Sequence, residues 1–202
     1  MRTYAPYHEQ VLVQYEMKSD TTSSGLYIAA PPVAELWTTV VAVGKGVEGI
    51  AVGDQLVYKD THVFASNGKP VALKAGYTID KDQRIAVIHR SQILAIRSSA
   101  AEAIRPYDEQ LLLQLDTPHT RTASGLHVSS FQDEEAKVWG RVIEVGRGVE
   151  DVAVGARIAY RDTYIVDSKG QPLPLKAKFF LSTEPRLAVI HRSQVLAIET
   201  SA

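Results

Sequence analysis

Ala86-Val-Ile-His-Arg-Ser-Gln-Ile-Leu-Ala-Ile96 is present twice in this chain. The second copy runs from Ala188 to Ile198, and the only difference is that Val195 replaces Ile93. Shorter stretches return in the same order about one domain length apart, which is too long for the period of a solenoid. The chain is therefore predicted to be a tandem duplication of one small domain. The other repeated stretches are Pro6–Gln10 and Pro106–Gln110, Ser24–Leu26 and Ser124–Leu126, Val43–Glu48 and Val145–Glu150, and Tyr58–Thr61 and Tyr160–Thr163.

Composition places the chain among globular proteins. Its 202 residues are 45% apolar and carry a net charge of -1, which gives no electrostatic reason to expect nucleic acid or an anionic membrane as a partner. The chain has no cysteine, so disulfides and thiolate metal sites are excluded. No apolar run is long enough for a membrane span, and the N-terminus lacks the apolar core of a signal peptide. We therefore expect a cytoplasmic protein.

The periodicity is that of short strands. Apolar and β-branched runs alternate with turns rich in Gly, Asn, Asp and Pro, and no long helical pattern is present. This spacing predicts an all-β protein with a small β-barrel or sandwich in each half, over residues 1–97 and 103–202, joined by a link at 98–102. The predicted strands of the first half, each with a counterpart in the second, are Gln10–Tyr15, Thr38–Val43, Gln55–Tyr58, Val71–Lys74 and Ile85–Ile88, and the halves end with Ile93–Ile96 and Val195–Ile198.

Each half also carries a polar segment that leads through a glycine into a short apolar patch. The segments are Lys18–Ser24 and Thr117–Ser124. They lack a period and offer no core residues, so we predict that they are the least rigid parts of the free chain and become ordered on partner binding. The alternative is that each patch is a returning strand packed on its own domain. The patches are Leu26, Tyr27 and Ile28 in the first half and Leu126, His127 and Val128 in the second.

The order of these features resembles the 10 kDa co-chaperonins, the GroES-like family. The resemblance covers nearly the whole chain twice, and it implies two tandem GroES-like β-barrels. It further implies a non-enzymatic homo-oligomer that caps a 60 kDa chaperonin through the two apolar patches, in which His127 departs from an aliphatic pattern. In the first half the resemblance rests on Pro6, Val11–Val13, the polar segment, Ser24–Ile28, Val41–Gly44, Val52–Asp54 and Ser91–Ile96.

Two departures from the family pattern keep a second hypothesis open. Family members often carry a roof hairpin, whereas only a short turn fits between Gly46 and Val52, and likewise between Gly148 and Val154. Whole two-domain chains also contribute their domains in pairs, so a ring with an odd number of domains cannot be built from them. The alternative is a structural building block of the same fold, for example a trimer with pseudo-sixfold symmetry that caps or decorates a shell such as a virus capsid.

No cofactor, metal or catalytic residue is predicted. Gly44–Gly49 has the glycine spacing of a dinucleotide-binding loop, but Gly53 interrupts the helix that such a loop needs. The Val-Gly-x-Gly-Val pattern also resembles the barrel domain of zinc alcohol dehydrogenases, whose zinc-binding cysteines have no counterpart here. His89 and His191 recur without a ligand partner at metal spacing, so a structural role in the turn before the last strand is favoured.

Two tryptophans, Trp37 and Trp139, recur after the polar segments. Tryptophan is enriched both in cores and at contacts between proteins. Each ring could therefore anchor the base of the loop to its own domain or lie at a contact with a neighbouring domain, and the sequence leaves both alternatives open.

Overall fold

The computed structural model describes residues 3–16, 36–64, 70–73, 76–98, 103–116, 139–161, 163–166, 172–175 and 179–200. The chain divides into two compact units. One consists of Met1–Val63 and Val71–Ile104, and the other of Phe64–Pro70 and Arg105–Ala202. The sequence-based domain limits, 1–97 and 103–202, stay a prediction.

The first unit is built on one sheet with the strand order β6-β7-β1-β2-β3-β8-β9, accompanied by a two-stranded sheet of β4 and β5. The central strand β1 pairs antiparallel with β2 on one side and with β7 on the other. The strands are β1 Gln10–Gln14, β2 Thr38–Val43, β3 Gln55–Tyr58, β4 Thr61–Phe64, β5 Pro70–Leu73, β6 Tyr77–Asp80, β7 Ile85–His89, β8 Ile93–Arg97 and β9 Ile104–Pro106.

The second unit repeats six strands of this sheet in the same order, without a counterpart of β9. Its sheet has the order β15-β16-β10-β11-β12-β17, and β13 pairs with β14 in a separate two-stranded sheet. The strands are β10 Gln110–Leu115, β11 Trp139–Val145, β12 Arg157–Tyr160, β13 Thr163–Val166, β14 Pro172–Leu175, β15 Phe179–Thr183, β16 Arg186–His191 and β17 Val195–Ile198.

The predicted all-β class, with one β-domain in each half, is confirmed by these two antiparallel sheets. The predicted terminal strands are confirmed as β8 and β17. The sequence analysis did not identify β4, β6 and β9 as strands, nor β13 and β15, the counterparts of β4 and β6. Residues 44–54, between β2 and β3, form turns without a strand, as do residues 146–156 in the second unit. The predicted lack of a roof hairpin is therefore confirmed.

Alternation along the strands fixes the core of the second unit. Leu111, Leu113 and Leu115 of β10 point to one face and are buried. They form one cluster with Ile158 of β12 and Ile190 of β16. Burying a side chain of this size contributes about 1.5–3 kcal/mol, so the central strand supplies a large share of the apolar stabilisation of this unit.

The repeated glycines hold the turn that precedes the first strand. The Gly44 N–H donates to the Gln10 carbonyl at 2.9 Å, and the Gly46 N–H donates to the His8 carbonyl at 3.0 Å. A Cβ on Gly44 would lie 2.1 Å from the His8 oxygen, so no other residue fits there. The second unit repeats the contacts through Gly146 and Gly148. These glycines are structural, and no helix follows them, as the sequence predicted.

Each unit enters its last strand through one turn of 3-10 helix, Arg90–Gln92 and Arg192–Gln194. The ring Nδ1 of His89 caps the first of these turns by accepting from the Ser91 N–H at 3.2 Å. The backbone N–H of Arg90 donates to the Glu9 carbonyl at 2.9 Å, which ties the corner to the turn before β1. The predicted structural role of both repeated histidines is confirmed by this geometry.

We expect Gly146→Ala to lower the free energy of unfolding by roughly 3 kcal/mol, because its Cβ would meet a backbone oxygen that cannot move aside. That oxygen, on Asp108, lies 2.2 Å from the Cβ position. The matched control is Gly155→Ala, where φ is +88° but no atom lies within 4 Å, so only the backbone strain of about 1–2 kcal/mol is expected. Denaturant unfolding measures both, and equal losses would contradict the interlocked turn.

Candidate functional site

The residues predicted to contact a partner lie outside the described residues, and so do the polar segments Lys18–Ser24 and Thr117–Ser124. The structure instead describes the bases of the two connections that contain them. The β1–β2 connection is described up to Glu16 and again from Leu36, and the β10–β11 connection up to Asp116 and again from Trp139. The predicted contact residues are Leu26, Tyr27, Ile28, Leu126, His127 and Val128.

An arginine covers the tryptophan at the end of each connection. The Cζ atom of Arg97 lies 4.8 Å from the centroid of the Trp37 ring, and the Cζ atom of Arg157 lies 4.8 Å from that of Trp139. Both tryptophans are half-buried, and at this distance the ring face attracts the cation. Of the two roles that the sequence left open, the anchoring of the loop base to its own domain fits this geometry.

The second connection is also held at its start. Arg157 Nη2 donates to the Asp116 carboxylate at 2.9 Å, and Arg157 Nη1 donates to Glu199 at 3.2 Å. The hydrogen bond to Asp116 contributes most to raising the pKa of Arg157 above its ordinary value. Arg186 Nη1 donates to the Asp116 backbone carbonyl at 2.5 Å. The sequence analysis did not identify these arginines. A usable signal was present, because the equivalent positions 55 and 157 carry a glutamine in the first repeat and an arginine in the second.

A second repeated cluster lies at the corner before the last strand. His89 Nε2 lies 3.1 Å from Glu9 Oε2, and Arg90 Nε lies 3.1 Å from Glu9 Oε1. The Ser91 hydroxyl lies 2.8 Å from His89 Nδ1, so a serine, a histidine and a carboxylate stand in line. The same Nδ1 accepts the Ser91 backbone N–H, which marks the histidine as a cap. No group of three or more metal-ligating side chains occurs among the described residues.

The two copies of the last strand differ in exposure. Leu94 in β8 is 2% exposed, whereas its counterpart Leu196 in β17 is 52% exposed. The strand β17 is the last strand of its sheet. The residues before the first strand show the opposite difference, since Tyr7 is 77% exposed and Tyr107 is 4% exposed. Among the described residues, β17 therefore ends its sheet with Leu196 exposed, and the segment before β1 exposes Tyr7.

A hydrogen-bonded acid holds that N-terminal segment on its own unit. The Asp80 carboxylate accepts from the Gln83 backbone N–H and from the Tyr4 hydroxyl, each at 2.9 Å. These bonds, with the Gln83 backbone first, lower the pKa of Asp80 below its ordinary value of 3.8. The segment is therefore anchored through Tyr4 while Tyr7 remains exposed.

Residues 3–97 match the family described as the chaperonin 10 Kd subunit, so the first half of this chain is similar to the 10 kDa co-chaperonin, or GroES-like, family. The second half repeats its motifs and its sheet. A comparison with curated proteins gives no significant match. Within the described residues, no helix has the length and apolar character that a membrane crossing requires.

The pKa of Asp80 predicts an acid-sensitive contribution to stability. A carboxylate whose pKa is lowered by folding stabilises the folded state above its unfolded pKa, and this contribution is lost as the pH falls through the folded pKa. We expect Asp80→Asn to lower the melting temperature at pH 7, and we expect its difference from wild type to shrink as the pH falls below the ordinary pKa of 3.8. Melting curves over that range measure it. A difference that stays constant with pH would contradict the assignment.

Proposed function

We propose that this chain is a two-domain co-chaperonin that caps the ring of a 60 kDa chaperonin and assists protein folding. The observation that carries the proposal is the match of residues 3–97 to the chaperonin 10 Kd subunit family. The second half offers the same sheet and the same loop position, so one chain supplies two modules of this kind. The family is one of binding proteins rather than enzymes.

The contact with the chaperonin is proposed to run through the two apolar patches, Leu26–Ile28 and Leu126–Val128. Each patch belongs to the connection that follows the first long strand of its domain, β1 or β10. Burial of an aliphatic side chain in an apolar groove contributes about 1.5–3 kcal/mol. The ordering of a polar segment on docking offsets part of that gain and keeps each contact weak enough to release. Several contacts made by one assembly then bind tightly through effective concentration.

We also propose that copies of the chain join through the open edge of β17. The equivalent strand β8, whose core sequence differs only in Ile93 for Val195, is buried. By the repeat, β9 corresponds to residues 4–6, which form no strand and precede the exposed Tyr7. Residues 4–6 of a second copy, laid along β17, would complete that sheet in the manner of β9. Since the two surfaces differ, the contact is head-to-tail and closes into a ring where the rotation allows it.

A structural building block that decorates a shell such as a virus capsid is the second candidate. It is supported by the turns at 44–54 and 146–156, which contain no strand where co-chaperonins often carry a roof hairpin. This candidate needs the same self-association but no chaperonin, so a binding experiment separates the two.

The test of the co-chaperonin function is the double variant Leu26→Ser, Ile28→Ser. If both side chains enter a chaperonin groove, we expect the affinity for a purified 60 kDa chaperonin ring to fall by roughly 2–5 kcal/mol, about thirtyfold or more. The equivalent double variant Leu126→Ser, Val128→Ser is expected to lose less, because His127 already makes that patch more polar. Calorimetric titration measures both.

The matched control is Val52→Ser, which removes an exposed aliphatic side chain outside the two connections that carry the patches. This change should leave binding and melting unchanged. An unchanged affinity in the Leu26, Ile28 variant, or no binding by wild type, would refute the co-chaperonin function. A lower melting temperature or a broken oligomer without an effect on the chaperonin would support the building block.

The test of the open edge is the double variant Leu196→Lys, Ile198→Lys, which places charges on β17. Charged side chains at an edge oppose strand addition, so we expect the assembly to dissociate to the 22.1 kDa chain with little change in melting of the isolated domain. The control is Val154→Lys, at an exposed turn of the same domain, for which we expect the assembly to be preserved. Native mass spectrometry gives the masses, and an unaltered assembly in the β17 variant would exclude this edge.

A further inference from the structure

We propose that Tyr4 and Asp80 are positioning residues for self-association, because their hydrogen bond keeps the N-terminal segment, residues 4–7, extended for addition to β17 of a second copy. The inference deepens the proposed contact between copies at the β17 edge and rests on it. The segment, β1 and β6 belong to the first unit, and all of them are described.

Exposure alternates along the N-terminal segment as it does along a strand with one covered face. Tyr4 and Pro6 are half-buried, whereas Ala5 and Tyr7 are exposed. A period of two is the period of extended backbone, because successive side chains point to opposite faces. The segment nevertheless forms no strand. It therefore has the side-chain pattern of a strand but does not belong to a sheet.

The segment is anchored at both ends. At its start the Tyr4 hydroxyl donates to the carboxylate of Asp80, the last residue of β6, at 2.9 Å. A hydrogen bond to an ionised carboxylate is stronger than one between neutral groups, and the Gln83 backbone N–H holds the same carboxylate at 2.9 Å. At its end the Tyr7 carbonyl accepts the N–H of Gln10, the first residue of β1, at 3.0 Å.

Two residues, Ala5 and Pro6, lie between these anchors. The ring of Pro6 fixes its φ near about −65°, which is compatible with extended backbone. A proline is tolerated on an edge strand, and the equivalent Pro106 is the last residue of β9. A segment that is already extended loses less conformational freedom when it adds to a sheet. The two anchors therefore favour strand addition by this segment.

The second repeat lacks the bond between Tyr4 and Asp80. By the repeat, Tyr4 corresponds to Ile104 and Asp80 corresponds to Ser182. Ile104 has no hydroxyl, and the Ser182 hydroxyl donates to the Glu184 carbonyl at 3.2 Å. In that repeat the equivalent residues already form β9. The bond is thus present in the repeat whose segment forms no strand, which indicates that it keeps the segment extended until a second copy supplies an edge.

The edge that this segment fits is β17. It is the last strand of its sheet, and it exposes Leu196 and Ile198. An open edge is a template for another chain. Because the equivalent of the N-terminal segment is a strand in the second repeat, the same backbone in a second copy of this chain can add the strand that completes the sheet.

The experiment compares Tyr4→Phe with Tyr77→Phe in the full chain. Both variants remove one phenolic hydroxyl and keep the ring, and Tyr77 is exposed on β6, the strand that carries Asp80. The first measurement is the order parameter of the Ala5 amide from NMR relaxation, in the lysine double variant of β17, in which the edge is blocked. The second is the protein concentration at which half of the assembly has dissociated, followed by native mass spectrometry.

For Tyr4→Phe we expect the order parameter of Ala5 to fall from about 0.85 to below about 0.6. We expect the concentration for half-dissociation to rise roughly five- to tenfold, because the free segment then has more freedom to lose. Tyr77→Phe should keep both values of the wild type. Adding Asp80→Ala to Tyr4→Phe should change neither quantity beyond the effect of Asp80→Ala alone, since one hydrogen bond joins the two residues.

The melting temperature separates positioning from stability. We expect Tyr4→Phe to lower it less than Asp80→Asn does, because Asp80 also accepts from the Gln83 backbone.

Wild-type order and wild-type assembly in Tyr4→Phe, or equal changes in Tyr77→Phe, would overturn the proposal. A mobile segment with unchanged assembly would also overturn it, because positioning would then not affect the contact. So would weaker assembly with an ordered segment, because the hydroxyl would then act at the contact itself. If wild type stays monomeric, the proposed edge contact fails together with the docking role, while the order parameter still shows whether Asp80 holds the segment.

Discussion

Both domains depend on the carbonyl groups of one tight turn before the first strand. In the first domain the carbonyls of His8, Glu9 and Gln10 accept N–H groups from the glycine turn and from the corner before β8, at 2.9 to 3.0 Å. His8 takes a φ of +46°, and the equivalent Asp108 takes +51°. Backbone N–H groups from both sides of the central strand donate to this turn. The turn therefore fixes the path of the chain where β2 ends and where β7 leads into β8.

That constraint explains why the motifs best preserved between the repeats are not an active site. The glycine pairs are needed because the chains approach too closely for a Cβ, and the His-Arg-Ser-Gln stretch is needed because it caps and turns the corner. Such motifs stabilise the backbone turns of the fold.

Duplication gives the chain two copies of each surface in unequal surroundings. The strand β8 is buried and the strand β17 is exposed, although their sequences differ only at one core position and at the end. An open edge is a template for another chain. The Arg–Trp stacks show the complementary case, in which the sequences differ at Gln55 and Arg157 but the contact is the same. Similarity of sequence and similarity of environment are therefore separate properties in this protein.

The sequence by itself determined the duplication, the all-β class, most strands of both sheets and the structural character of the repeated glycines and histidines, because strand alternation and turn chemistry are local. It did not reveal Arg97, Arg157 or Asp116, since these side chains meet only when β3, β8 and their counterparts are neighbours in a sheet. Nor did it distinguish the buried β8 from the exposed β17. Burial depends on what the rest of the fold places beside a strand, and only the tertiary structure decides that.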